Sequence, residues 1–256
     1  MKSAVAGIEQ FFYNLGFLKR TLQGLWYFVR QGKASYKILT MQIYYTFVQA
    51  LWITSVMALG IGSAISIVGV PMLASFSQQQ LIFPILILVI TIELGPLLTA
   101  FVVISRSATA IATEIAGMVI SHEIEAYISI GVDPIEHLAA PRFLGVIISL
   151  VMLNIYFSIF GLAGSFFIAS FFNPMTVDYY FSNILYNLSI GDLLILVAKS
   201  VVFGAVISIC AVIEGLSVER AITEVPVAGL RAVSKAFAGC VLAAIVLSAI
   251  YYIVLI

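Results

Sequence analysis

Residues Ile92 to Arg142 read IELGPLLTAFVVISRSATAIATEIAGMVISHEIEAYISIGVDPIEHLAAPR, and the fold turns on how this stretch is understood. It begins as apolar sequence of membrane grade, yet it carries Glu93, Arg106 and Glu114 and is interrupted by Gly95-Pro96. A charge at mid-bilayer costs roughly 2.5 kcal/mol or more on insertion scales, so three in one segment call for a protein-lined or wet environment. Beyond Gly117 the pattern changes to a short charged helix that leaves the membrane.

Composition agrees with this reading. Of 256 residues, 62% are hydrophobic and 9% charged, against about 25% charged in a soluble domain. The chain reads as an all-α polytopic membrane protein. Twelve basic residues balance twelve acidic ones, and no nucleic-acid partner is expected. Cys210 and Cys240 fall within apolar stretches and read as packing residues. His122 and His137 stand on a polar connector without metal-ligand spacing. The amino terminus shows no short apolar core followed by a cleavage site, so no signal peptide is expected.

Working outward, residues 8–30 place apolar residues at steps of three and four opposite Lys19, Arg20 and Arg30, which predicts an amphipathic helix in the headgroup plane. Residues 38–70 form an uncharged run that reads as one long span, bent near Gly60 and Gly62. Pro71 to Gln80 reads as a connector, and 81–117 as a second span broken near 95–96. Residues 143–172, 193–213 and 236–256 supply spans three to five. The third contains Gly161, Ser165 and Ala169 at four-residue steps, a spacing that lets helices approach closely. Lys199 lies near one end of the fourth span and is expected to snorkel to the interface. Lys2, Lys19, Arg20, Arg30, Lys33, Lys37, Arg142, Arg220, Arg231 and Lys235 gather on one side of this topology, which makes the amino terminus cytoplasmic and the carboxyl terminus external. No repeat is visible.

The cytoplasmic connector has clear punctuation. Ser121 is expected to cap a helix with Glu123 and Glu125 in its first turn and Gly131 at its end, with Ile124, Tyr127 and Ile128 on one face. Asp133 caps a second short turn that has Pro134 at its first position. An apolar stripe on such a helix asks for a protein partner. Two readings fit the buried charges Glu93, Arg106 and Glu114. They form a structural polar network around a broken helix, or a site that handles a headgroup or a proton. No GxxxxGK[ST] loop, HExxH motif or hydrolase triad is present, so the chain reads as non-enzymatic and takes its energy from elsewhere.

Glu93-Leu94-Gly95-Pro96, Arg106, Glu114, the Glu123 to Ala126 helix, Gly131-Val132-Asp133-Pro134, Pro141-Arg142 and Lys199 to Gly204 together resemble the MlaE/YrbE permease family. The resemblance implies the membrane subunit of an ABC transporter that moves phospholipids between membranes from the bacterial inner membrane. It implies a homodimer with a cytoplasmic ABC ATPase that holds ATP and Mg, a STAS-domain protein and a periplasmic MCE-domain protein, and no cofactor in this chain. By the same resemblance residues 121–139 are coupling helices, with Glu123, Ile124, Tyr127, Ile128, Gly131, Asp133 and Pro134 at the ATPase contact. Gly95 and Pro96 are then a hinge, and Glu93 lines a lipid cavity. Ile92 stands where the family often has Arg, which removes a cation that could meet a lipid phosphate, and His122 stands where Gln is common. The alternative is a proton-coupled carrier that uses Glu93, Arg106 and Glu114 as a relay.

Overall fold

A computed structural model describes residues 35–172, 176–219 and 221–255, together with Gly16. The interfacial helix expected over 8–30 lies outside the described residues, apart from Gly16. Every described element is helical. This follows from the sequence, because in hydrocarbon each backbone N–H and C=O must find its partner within the segment. Helices α1 (Ser35–Phe47) and α2 (Leu51–Ser75) are joined by a 3-10 turn at Val48–Ala50. Then come α3 (Ile82–Leu86), α4 (Gly95–Val103), α5 (Thr109–Ile120) and α6 (Glu123–Ser129), followed by α7 (Ala140–Phe172), α8 (Val177–Asn187), α9 (Ile190–Leu216) and α10 (Glu224–Leu255). Five helical runs are long and apolar enough to cross a membrane: Tyr36–Ser75, Gln79–Ile120, His137–Phe171, Ile190–Leu216 and Glu224–Ile253. The expected five-span, all-helical class holds.

Several boundaries move, each for a physical reason. The first span continues through Pro71 to Ser75, so the connector shrinks to a few residues around Phe76–Gln78. The second span does not break at Gly95-Pro96. Its turns widen to π-type pairing over Ile87–Leu94 and again over Ile104–Ala108, and the chain stays helical throughout. A third π-type segment, Ile135–Ala139, leads directly into α7, so the second short turn is the start of span three. The connector after α7 contains the helix α8, which the sequence reading did not anticipate. The fifth helix begins at Glu224, well before residue 236, because Glu224, Arg231 and Lys235 ride on its polar end instead of forming a charged linker.

The chain divides into two compact units, to which α7, α9 and α10 each contribute residues. Of the described residues, one comprises those within 35–48, 103–149 and 203–240; the other comprises those within 49–102, 150–202 and 241–255. In the second unit Ile82, Phe83, Leu86, Ile90, Phe157 and Tyr180 form the centre of an apolar cluster. Span one crosses span three there at near-backbone contact. A Cβ on Gly62 would collide with the Gly161 carbonyl, and Ser66 Oγ donates to the Ser165 carbonyl at 3.1 Å. Small residues are required where helices meet this closely. In the first unit Ala116, Val218 and Ala228 pack together, and Ser107 donates to Thr46 at 3.1 Å.

Candidate functional site

Proline at 96 has no N–H to donate and its ring crowds the carbonyl four residues back, which belongs to Ile92. The structure resolves this in two ways. The π-type turns shift the local pairing, and a Cβ on Gly95 would strike the Ile90 carbonyl oxygen, so the widened turn needs glycine at that position. The Ile92 carbonyl then accepts a hydrogen bond from Lys199 Nζ at 2.8 Å. The same ammonium lies 3.0 Å from Glu93 Oε2, with the Lys199 side chain 1% exposed and that of Glu93 34% exposed. Ser248 Oγ donates to Glu93 Oε2 at 3.0 Å and Tyr252 OH to Oε1 at 3.3 Å. Lys199 therefore does not snorkel. Its three N–H donors are worth more to a proline-freed carbonyl and a half-buried carboxylate than to an interface it would have to reach past apolar neighbours.

Behind this pair runs an uncharged polar chain. Thr99 hydrogen-bonds Asn154, and Asn154 Nδ2 donates to Ser200, all three fully buried. Asn154 is the lone amide in the uncharged run 143–172, a signal the sequence reading passed over. Lys199, Ser248 and Tyr252 were likewise missed as partners of Glu93.

The other unit holds the hairpin between spans two and three. Ser121 terminates α5, its hydroxyl donating to the Gly117 carbonyl at 3.0 Å, so it is not the cap of α6. The corner is made by His122 in the left-handed region at φ 60. Helix α6 is seven residues long. Gly131, at φ +79, turns the chain after it, and Asp133 Oδ1 accepts from the Ile135 N–H at 2.8 Å, as expected of a cap. Ile128 and Ile130 are 61% and 72% exposed, while Ile124 and Tyr127 are half-buried, with the Tyr127 ring 5.5 Å from that of His137. Glu123, Glu125, Gly131 and Asp133 are exposed and Pro134 is half-buried.

The three intramembrane charges do not share one centre. Glu93 pairs with Lys199, and Glu114 pairs with Arg142 Nη2 at 2.8 Å. Arg106 is exposed on the Ile104–Ala108 turn.

The profile described as Permease MlaE matches residues 39–250. The chain belongs to the MlaE permease family. As an MlaE permease it is a membrane protein, in line with its five apolar helices. It is similar to the intermembrane phospholipid transport system permease protein MlaE of Haemophilus influenzae, 30% identical over 134 residues, which is 52% of this chain and 51% of that one. A probable ABC transporter permease protein of Rickettsia typhi is 29% identical over 140 residues, 55% of this chain and 54% of the other. The chloroplastic protein TRIGALACTOSYLDIACYLGLYCEROL 1 of Arabidopsis thaliana is 25% identical over 224 residues, 88% of this chain and 64% of its own. The MlaE-family chain thus spans about half the length of the bacterial relatives it matches.

Proposed function

We propose that this MlaE permease is the membrane subunit of an ATP-driven transporter that moves phospholipid between membranes, with ATP and Mg held on a separate ATPase subunit. The observation that carries the reading is the short rigid hairpin ending in exposed Ile128 and Ile130, on a chain that otherwise offers membrane-spanning helices. A pair of exposed isoleucines between acidic residues is a protein-docking tip, because two such side chains in water forgo burial worth roughly 1.5–3 kcal/mol each. The names of the Haemophilus and Rickettsia relatives support phospholipid as cargo and an ABC assembly as setting. In this assembly two copies of the chain enclose a lipid cavity bordered by Glu93. Arg106 and Glu114 serve the polar framework, and Gly95-Pro96 is the place where span two yields. Glu123, Ile124, Tyr127, Ile128, Gly131, Asp133 and Pro134 seat the hairpin in the ATPase. A STAS-domain protein and a periplasmic MCE-domain protein complete it, in the inner membrane with the amino terminus cytoplasmic and the carboxyl terminus periplasmic.

The test is Ile128→Asp in the purified complex. Ile128 is exposed, so the permease should fold and purify as before while stimulation of the ATPase drops at least about tenfold, the effect of removing an interface anchor. Undiminished stimulation would rule out the hairpin as the coupling element.

A further inference from the structure

We propose that Glu114 and Arg142 form a latch that makes the two stems of the cytoplasmic hairpin move as one, an inference that rests on the coupling reading above. Glu114 lies in α5, which leads into the hairpin, and Arg142 lies in the first turn of α7, which leads out of it. Their 2.8 Å ion pair therefore closes the base of the intervening loop. Above the base the hairpin is braced internally. The Val132 N–H donates to the Tyr127 carbonyl at 2.9 Å, the Gly131 N–H to the Ile128 carbonyl at 3.0 Å, and Tyr127 rests against His137. With both ends tied and the tip stiff, a displacement at Ile128 reaches α5 and α7 together. Without the ion pair, the base is a place where that displacement could be absorbed.

The pair is asymmetric. The Arg142 side chain is 4% exposed and its Nη1 has no partner, whereas Glu114 is 55% exposed. The cation is thus fixed in the packed unit and already short of acceptors, so it holds its carboxylate strongly. The next cytoplasmic linker, between α9 and α10, is closed in the same manner with the signs reversed: Glu214 is 4% exposed and pairs with Lys235, which is 45% exposed. Two linkers, each tied at the base by one anchored and one accessible charge, point to a common device. Glu114 and Arg142 are positioning residues that act on cargo only through the helices they join.

The experiment uses the full-length permease with its ATPase, reconstituted in phosphatidylethanolamine/phosphatidylglycerol vesicles that carry an acyl-labelled phospholipid. ATP hydrolysed and lipid moved are measured in the same sample. Glu114→Gln should leave ATPase stimulation largely intact but lower the lipid moved per ATP by about fivefold or more. The exchange Glu114→Arg with Arg142→Glu should restore that ratio to within about twofold, because a buried glutamate facing an exposed cation is the arrangement this chain already uses at Glu214 and Lys235. An unchanged ratio in Glu114→Gln overturns the latch. So does hydrolysis and transport falling in parallel with no recovery in the exchange, which is the mark of a merely structural pair. Failure of the underlying reading shows separately, in the unsubstituted complex that moves no lipid or in Ile128→Asp that keeps its stimulation, and overturns both.

Discussion

Lys199 shows how one residue can answer two demands. Its ammonium fills the carbonyl that Pro96 leaves free and neutralises the carboxylate beside it. Lys199→Met should remove both at once and strand Glu93; because that carboxylate is half-buried, the cost falls below the roughly 3–5 kcal/mol of a fully buried pair. The double variant Lys199→Met with Glu93→Gln should regain much of the thermal stability in detergent, since a neutral amide can still accept from Ser248 and Tyr252. If the single and double variants unfold at the same temperature, the pair contributes nothing. The sequence shows a carboxylate, a proline and a lysine in apolar runs, but it has no measure of which helices lie side by side across a separation of 106 positions. An ammonium within a span can satisfy its charge at an interface or at a buried partner, and the choice is made by packing. The same limit hid the Thr99, Asn154 and Ser200 chain.

At the scale of elements, apolar runs identified all five spans, because hydrophobic length is a local property. Their ends were less legible. Helix α10 starts twelve residues before the apolar run because Glu214 provides a partner for Lys235, and span two survives its proline by changing its hydrogen-bond register. Helix α8 was not anticipated; its signal is the step of four between Tyr180 and Ile184, its two buried residues. Tyr180 contacts the Phe83 and Phe166 rings, donates to the Leu162 carbonyl at 3.1 Å and hydrogen-bonds Ser165. Burial disfavours its phenolate and raises its pKa from 10.0 to about 12, partly opposed by the Ser165 hydrogen bond. The folded state therefore keeps a proton that the unfolded chain loses, so this stability is fully present below pH 10 and is lost as pH rises through about 12. Thermal unfolding of Tyr180→Phe in detergent should lose that decline between the two values and show a constant deficit of about 1 kcal/mol at neutral pH from the missing hydrogen bonds. A variant as steep in pH as the parent would assign the slope to another group.

For the molecule as a whole, the hairpin tip brings hydrophobic and electrostatic arguments together. Ile128 and Ile130 are exposed between Glu123, Glu125 and Asp133, with no Lys or Arg from 118 to 141. The proposed coupling calls for an ATPase groove with an apolar floor and a basic rim. Glu123→Lys with Glu125→Lys should weaken association with the ATPase subunit mainly through slower binding, by about tenfold or more at low salt and less at high salt. Binding kinetics indifferent to both the substitution and salt would leave only the apolar contact. This acidic setting was legible in the sequence because charge runs need no tertiary information. What it touches was not, and neither was the assignment of Glu93 and Glu114 to separate cations.

The uneven burial of these pairs also sets the reactivity of the chain. An acylating reagent meets Lys235 in the open but finds Lys199 sealed behind Glu93, and a carbodiimide reaches Glu114 while Glu214 is shielded. In each ion pair that closes one of these linkers, the partner held by packing is inert and the partner in solvent is chemically addressable, so covalent labelling can release either linker without altering its sequence.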